Sequence, residues 1–242
     1  MKVSIIVPVY NEITTLEKCL SGLRNINLGY QNIEKEIILV EGNSTDGSRD
    51  VVKKYENVEN FIIILEEKAL GKGSAVKKGI EKSSGDIIVI QDGDLEYDLN
   101  DYPKLLKPII EGKTDFVLGS RHKILNPLEM RVMKNSPIKA FFLNTGHVVL
   151  QKLFNILYKQ KLHDIFTMYK IFNKKCIKNI IFTKNKFDFD IELVSKLVKK
   201  GYNPLEVPVT YNSRGWDQGK KYSLLSDTPG VIWIMIKVKF FN

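Results

Sequence analysis

Along the first half of the chain, short runs of β-branched and apolar residues alternate with stretches whose apolar residues repeat every three or four positions. Val3 to Tyr10, Glu36 to Val40, Phe61 to Leu65, Ile87 to Ile90 and Phe116 to Gly119 predict strands. Between them, Leu16, Leu20 and Leu23 predict a first helix, and Val51, Val52 and Tyr55 a second. Ala75, Val76 and Ile80 predict a third, and Leu105, Leu106, Ile109 and Ile110 a fourth. Strands without polar alternation are strands buried on both faces. The pattern therefore predicts an α/β, Rossmann-like fold, with a mostly parallel central sheet flanked by helices.

The second half is less regular. Residues 138–158 predict one long apolar helix, and Tyr169 to Phe172 a short strand. Asp188 to Lys200 predicts a helix with Ile191, Val194, Leu197 and Val198 inward. Leu205 to Tyr211 alternates as a strand does, and Pro208 places it at an edge. Residues 123–136 are polar and without period, which predicts a mobile loop. Beyond Trp216, lysines alternate with apolar residues out to Phe241. That tail fits an amphipathic helix lying on a membrane surface and equally a last helix packed on the core.

The chemistry gathers where the central strand ends, at Gln91-Asp92-Gly93-Asp94-Leu95-Glu96-Tyr97-Asp98. Two carboxylates around one glycine can converge on a hard divalent cation, and such a cation suits a diphosphate. The same three residues also make an ordinary polar turn, with Asp92 capping and Asp94 solvated. Loops at 8–12, 41–47, 92–98 and 119–122 all leave strands at one sheet edge, the edge where open α/β sheets bind ligands. They bring Pro8, Tyr10, Asn11, Glu12, Glu41, Asp46, Asp92, Gly93, Asp94 and Arg121 to one rim, a set that suits a nucleotide diphosphate and its ribose. Gly71-Lys72-Gly73-Ser74 lacks the spacing of a P-loop, and no GxGxxG follows the first strand. Lys72, at a helix start, can meet a phosphate or a base edge, or simply begin the helix.

Composition narrows the classes. With 43% hydrophobic and 27% charged residues the chain is ordinarily globular. Cys19 and Cys176 form no framework and the three histidines have no zinc-type spacing, so a cytoplasmic setting is expected. The N-terminus runs directly into a strand, leaving no room for a signal peptide, and no apolar run reaches the ~20 residues of a membrane span. Residues 151–242 carry 17 basic against 7 acidic side chains, and residues 1–150 carry 20 against 21. The whole excess of +9 therefore sits in the last part of the chain, where it fits an anionic membrane surface or plain solubility. Lysine outnumbers arginine there and aromatics are not interleaved as a stacking platform needs, so no nucleic-acid partner is expected.

Taken together, Val3-Ser4-Ile5-Ile6-Val7-Pro8-Val9-Tyr10-Asn11-Glu12, Ser44-Thr45-Asp46-Gly47, Gly71-Lys72-Gly73, the Asp92 to Asp98 stretch and Gly119-Ser120-Arg121 resemble family 2 glycosyltransferases of the GT-A fold. The branch most similar is that of the polyprenyl- or dolichyl-phosphate sugar transferases. The likeness continues more weakly through Asn144-Thr145-Gly146, His163-Asp164, Tyr169-Lys170, Phe189-Asp190-Ile191-Glu192 and Arg214. It implies a single domain over 1–242. Residues 1–122 would form a nucleotide-sugar-binding half, and residues 123–242 a smaller acceptor-side half with a basic tail.

The resemblance also implies roles. Pro8, Tyr10 and Glu12 line a base pocket, with Asn11, Asp46, Lys72 and Gly93 on the donor side. Glu41 stands where relatives use Asp for base or ribose. Asp92 faces ribose and metal, and Asp94, with Glu96 beside it, holds Mg²⁺ or Mn²⁺. Arg121 and Arg214 contact phosphates. Asp190, Glu192 and Asp164 are acceptor-side catalytic candidates, although two carboxylates at a helix start also serve as caps. The expected donor is a GDP- or UDP-linked sugar, and the expected acceptor a lipid phosphate or a glycan hydroxyl. Three departures stand out: Glu41 for Asp, Gly42-Asn43 for Asp-Gly, and Phe166 where an acid is common. Two other classes stay open, a sugar nucleotidyltransferase and a non-catalytic basic membrane-binding module. The first usually carries a glycine-rich loop after its first strand, where this chain has Pro8-Val9-Tyr10-Asn11-Glu12.

Overall fold

The structure, a computed structural model, describes residues 1–121, 137–213 and 224–241. In chain order the first-half elements are β1 (Lys2–Val9), α1 (Leu16–Asn25), β2 (Glu34–Glu41), α2 (Ser48–Lys53), β3 (Phe61–Leu65), α3 (Lys72–Lys82), β4 (Ile87–Ile90), α4 (Tyr102–Ile110) and β5 (Phe116–Ser120). There follow α5 (Pro137–Tyr158), β6 (Lys170–Asn173), α6 (Asp188–Lys199), β7 (Leu205–Pro208) and α7 (Leu224–Phe241). The expected loop at 123–136 lies outside the described residues.

The seven strands make one sheet in the order β3-β2-β1-β4-β6-β5-β7. Every neighbouring pair is parallel except those that include β6, which runs against both β4 and β5. The sheet is thus mostly parallel, and the second half of the chain contributes two strands to it. β7 lies at the edge, as its proline requires. Pro208 closes that strand opposite Ser120.

Period-two side-chain alternation sorts the core into two layers. On one face Val3, Ile5, Val7 and Val9 of β1 pack with Leu16, Leu20 and Leu23 of α1 and with Leu105 and Leu106 of α4. On the other face Ile6, Ile38 and Ile88 meet Val76 of α3, Phe154 of α5, Phe189 and Val194 of α6, and Ile234 and Met235 of α7. Gly79 lets α3 settle onto β1, since a Cβ there would come 2.4 Å from Ile6. The two readings of the tail meet in α7. Its Val231, Ile234, Met235 and Val238 are buried, while Trp233, Phe240 and Phe241 are exposed.

All strands but β6 point their carboxyl ends to one edge, so the loops after β1, β2, β4 and β5 share a rim with the entry to β6. The opposite edge holds a polar cluster that the pattern did not predict. Glu36, almost fully buried, accepts from Ser4 Oγ at 2.5 Å, from Ser84 N at 2.6 Å and from Ser84 Oγ at 2.7 Å, and pairs with Lys2 at 2.6 Å. Burial pushes its carboxyl up, but Lys2, Ser4 and Ser84 outweigh that and hold it at about 2. A depressed folded value stabilises above the unfolded value near 4.5, and the contribution is lost as pH falls through the folded one. Replacement Glu36→Gln should therefore cost about 1–3 kcal/mol at neutral pH. In thermal melts the gap to the native chain should shrink between pH 4.5 and pH 2.

Candidate active site

The loops after β1 and β2 are tied to each other. Asn11 takes a left-handed φ of 50°, which asparagine tolerates better than most residues. Its N–H donates to Ser44 Oγ at 2.9 Å, and its Oδ1 accepts from Thr45 N at 2.8 Å. Asp46 accepts from Ile13 N at 3.0 Å and from Ser48 N at 2.9 Å, and Glu12 N donates to Ser48 Oγ at 2.9 Å. Burial raises the Asp46 carboxyl, but those hydrogen bonds outweigh it and keep it below its ordinary value. Asn11 and Asp46 therefore act in the structure as fasteners between the β1 and β2 loops.

Glu41 differs from expectation. It is fully buried at the end of β2 and turns inward, accepting from Ser44 N at 2.6 Å and from Arg49 Nε. Arg49 also donates to the Glu66 carbonyl. Burial raises the Glu41 carboxyl, and Ser44 and Arg49 more than offset that, so it stays ionised. Both its oxygens serve the frame of the pocket. Arg49 escaped the sequence reading; its only signal is an arginine at the start of a helix, eight residues past a buried strand-end acid.

At the end of β4, Asp92 Oδ1 lies 2.7 Å from Lys72 Nζ, and the Gly93 carbonyl accepts from Thr15 Oγ1 at 2.9 Å. Asp94 Oδ1 accepts from Glu96 N at 3.1 Å across a turn in which Leu95 has φ 57°. The acids concentrate negative potential beneath the turn. Burial, then Asp94, Asp92 and Glu12, pushes the Cys19 thiol up to about 12. Glu96 was grouped with these acids, but its Oε2 accepts from Tyr211 O–H at 2.8 Å, beyond β7. Among the described residues no three His, Cys, Asp or Glu side chains form a ready-made metal cluster.

Lys72 reaches across the crevice. Besides Asp92, its ammonium lies 3.7 Å from Asp190 Oδ2 on α6. Burial lowers its affinity for the proton, while Asp190, Asp92 and Asp94 raise it, with a net rise that keeps the lysine charged. Lys170, fully buried on β6, lies 3.4 Å from Asp190 Oδ1 and donates to the Thr167 carbonyl. Burial and the neighbouring Lys72 together lower its value despite the pull of Asp190 and Asp164. Lys170 was absent from the expected site, although a lysine inside the apolar run Tyr169 to Phe172 is a visible signal.

The other two catalytic candidates sit elsewhere. Glu192 is fully buried and accepts from Thr183 N, Thr183 Oγ1, Lys184 N and Lys196 Nζ at 2.7 to 3.0 Å. Two residues along a helix point to nearly opposite sides, so α6 brings Asp190 to the crevice and Glu192 away from it. Asp164 is held in a fork by Arg121. Nε donates to Oδ2 and Nη2 to Oδ1, both at 2.7 Å, and Arg121 N adds a third bond at 3.0 Å. The Arg121 guanidinium also stands 5.1 Å from the centre of the Tyr211 ring. Burial lowers and Asp164 then raises the Arg121 value, which ends well above ordinary. Asp164 thus positions Arg121. Arg214 lies outside the described residues.

The sequence profile described as Glycosyl transferase family 2 matches residues 4–181, about three quarters of the chain. The chain belongs to that family. It is 27% identical over 212 residues to glycosyltransferase AglJ of Haloferax volcanii, covering 88% of this chain and 63% of that protein. It is 29% identical over 221 residues to the dolichol-phosphate mannosyltransferase of Pyrococcus furiosus, covering 91% and 59%. The chain therefore spans about six tenths of the length of these relatives. In fold it is similar to glucosyl-3-phosphoglycerate synthase from Mycobacterium tuberculosis, crystallised with Mn²⁺, UDP and phosphoglyceric acid. That likeness has a TM-score of 0.66 at 18% identity, over all of this chain and 79% of that one. S. aureus TarS aligns at 0.58 and 19% identity, over 88% and 60%. The fold is thus GT-A, and among the described residues no helix is long and apolar enough to cross a membrane.

Within this family 2 domain the Arg121–Asp164 pair should be structurally decisive. Asp164→Asn should cost about 3–5 kcal/mol in denaturant melts, because it leaves a buried guanidinium unpaired. Arg121→Met combined with Asp164→Leu should recover most of that loss.

Proposed function

We propose that the chain is an inverting glycosyltransferase that moves a sugar from a GDP- or UDP-linked donor to a lipid phosphate or a glycan hydroxyl. We read residues 1–242 as one such domain. One observation carries the proposal. The Asp92–Asp94 turn stands at the carboxyl end of β4, with the fastened β1 and β2 loops on one side and Asp190 and Arg121 on the other. Names of relatives support both partners, a dolichol-phosphate mannosyltransferase for the acceptor and a UDP-bound synthase for the donor.

The acid turn fits Mg²⁺ or Mn²⁺. Such ions are usually held by one or two carboxylates plus substrate phosphates rather than by a closed protein cage. Asp92 and Asp94 supply those carboxylates. When bound, the ion neutralises the charge that builds on the departing diphosphate.

The rest belongs to the chain. The acceptor oxygen attacks the anomeric carbon from the side opposite the diphosphate. The new carbon–oxygen bond forms as the bond to the diphosphate breaks, so the centre inverts. Lys72, paired with Asp92 at 2.7 Å, holds positive charge beside the leaving group. An acceptor hydroxyl gives its proton to Asp190, whereas a lipid phosphate arrives already ionised and needs no base. The basic last third and the exposed Trp233, Phe240 and Phe241 support a site of work on the anionic inner face of the cell membrane. That contact would show as salt-sensitive binding to anionic vesicles.

Two measurements test the reading. UDP or GDP with Mn²⁺ at about 100 times its dissociation constant should stabilise the chain by about 2.7 kcal/mol, a rise in Tm of several degrees. Asp94→Ala should abolish that rise, and a rise that survives in this variant, or no rise with any nucleotide, would refute the site. Separately, Asp190→Asn should lower turnover on a hydroxyl acceptor by about 10²–10⁴-fold and spare a phosphate acceptor. Equal loss on both acceptors would remove the general-base role.

A further inference from the structure

Glu66, the residue after β3, is 3% exposed. Its Oε1 accepts from Ser74 Oγ at 3.3 Å and pairs with Lys78 Nζ at 2.8 Å. Its Oε2 is buried and accepts no hydrogen bond among the described residues. A carboxylate oxygen in that state is uncommon in folded proteins and calls for a reason. The catalytic reading above does not use Glu66.

Gly42 suggests the reason. Its φ is not positive, so its backbone does not call for glycine. Nor does a steric clash: a Cβ there would lie 3.4 Å from the Val9 carbonyl oxygen, 3.5 Å from Glu66 Oε2 and 3.6 Å from the Tyr10 ring, all ordinary contacts. A longer side chain at 42 would instead press on Tyr10 and Glu66. The glycine thus leaves the Tyr10 ring and Glu66 Oε2 facing one position with no side chain between them. That position follows β2 and lies against the end of β1, beside the two fastened loops.

We propose that Glu66 reads the nucleobase of the donor, through one hydrogen bond from a ring N–H to Oε2. This rests on the donor reading given above and sharpens it. Uracil and guanine carry a hydrogen on the ring nitrogen of their pairing edge. Cytosine and adenine carry a lone pair there, which a carboxylate oxygen repels. Tyr10, 40% exposed, supplies the face on which a base stacks and turns aside to admit it. Glu41, the acid at the end of β2, has its oxygens committed to Ser44 and Arg49. Base recognition therefore falls to the acid at the end of β3, and the donor is a uridine or guanosine diphosphate sugar.

Calorimetry with UDP, GDP, CDP and ADP, each with Mn²⁺, tests this on the native chain and on Glu66→Gln. The native chain should bind UDP or GDP about 10- to 100-fold more tightly than CDP and ADP, the span that one hydrogen bond to a charged group carries. Which of the two binds names the base. In Glu66→Gln that preference should collapse to within about threefold. Equal binding of all four nucleotides, or a preference unchanged in Glu66→Gln, overturns the assignment and leaves the donor site standing. If none binds, the donor reading fails and this one with it. Should Glu66→Gln not fold, Gly42→Val removes none of the groups that bond Glu66 and puts methyl groups between Tyr10 and Oε2. It should lose the base preference while pyrophosphate with Mn²⁺ still binds; retention of the preference would overturn the proposal.

Discussion

Lys72 joins the two halves of this protein. Its ammonium faces Asp92 on the exit of β4 and Asp190 at the start of α6, residues nearly a hundred positions apart in sequence. That reach depends on how closely α3 and α6 meet. A Cβ at Gly73 would stand 2.5 Å from Phe189 Cβ, and one at Gly71 would stand 2.6 Å from the Asn185 carbonyl oxygen. Gly71 in addition has φ 100°, a conformation other residues resist. The glycines on either side of Lys72 thus exist for helix contact, and the lysine between them is delivered to the crevice as a result.

Around that junction the charges are arranged so that none is buried alone. Arg121 is held by Asp164, Glu41 by Arg49, and Glu192 by Lys196 and the turn at 183–184. Buried pairs of this kind add little net stability compared with apolar packing, but removing one partner is expensive. Their value here is geometric. Each fixes one wall of the crevice: the β2 loop, the exit of β5 and the start of α6. Asp190 is buried with a lysine on each side, Lys72 at 3.7 Å and Lys170 at 3.4 Å.

Much of this could be read from the chain. Unbroken apolar runs announced buried parallel strands, and the exits of β1, β2, β4 and β5 were correctly placed on one rim because parallel strands share a direction. Pro208 marked an edge. The orientation of β6 was not legible, since Tyr169 to Phe172 reads the same in either direction. The pairing of Asp190 with Glu192 as joint candidates ignored that helix positions two apart diverge, a point the sequence alone could have supplied. The fate of Glu41 was harder. Whether a strand-end acid faces a ligand or its own scaffold depends on which cation reaches it, and Arg49 comes from a helix whose position only the folded chain reveals. Glu66 gave no sequence signal, because an acid that ends a strand is commonplace.

The reversed strand has a further meaning. One wall of the site is built where chain leaves strands, within the first hundred residues, while part of the facing wall is built where chain enters β6, at residues 164–169. The downstream end of that segment is pinned by the pairing of Ile171 with both Val89 and Val117. Insertions or deletions upstream of the pin can therefore reshape one wall without shifting the register of the sheet or disturbing the other. A fold with one entering strand among departing ones can vary one wall of its site while conserving the other.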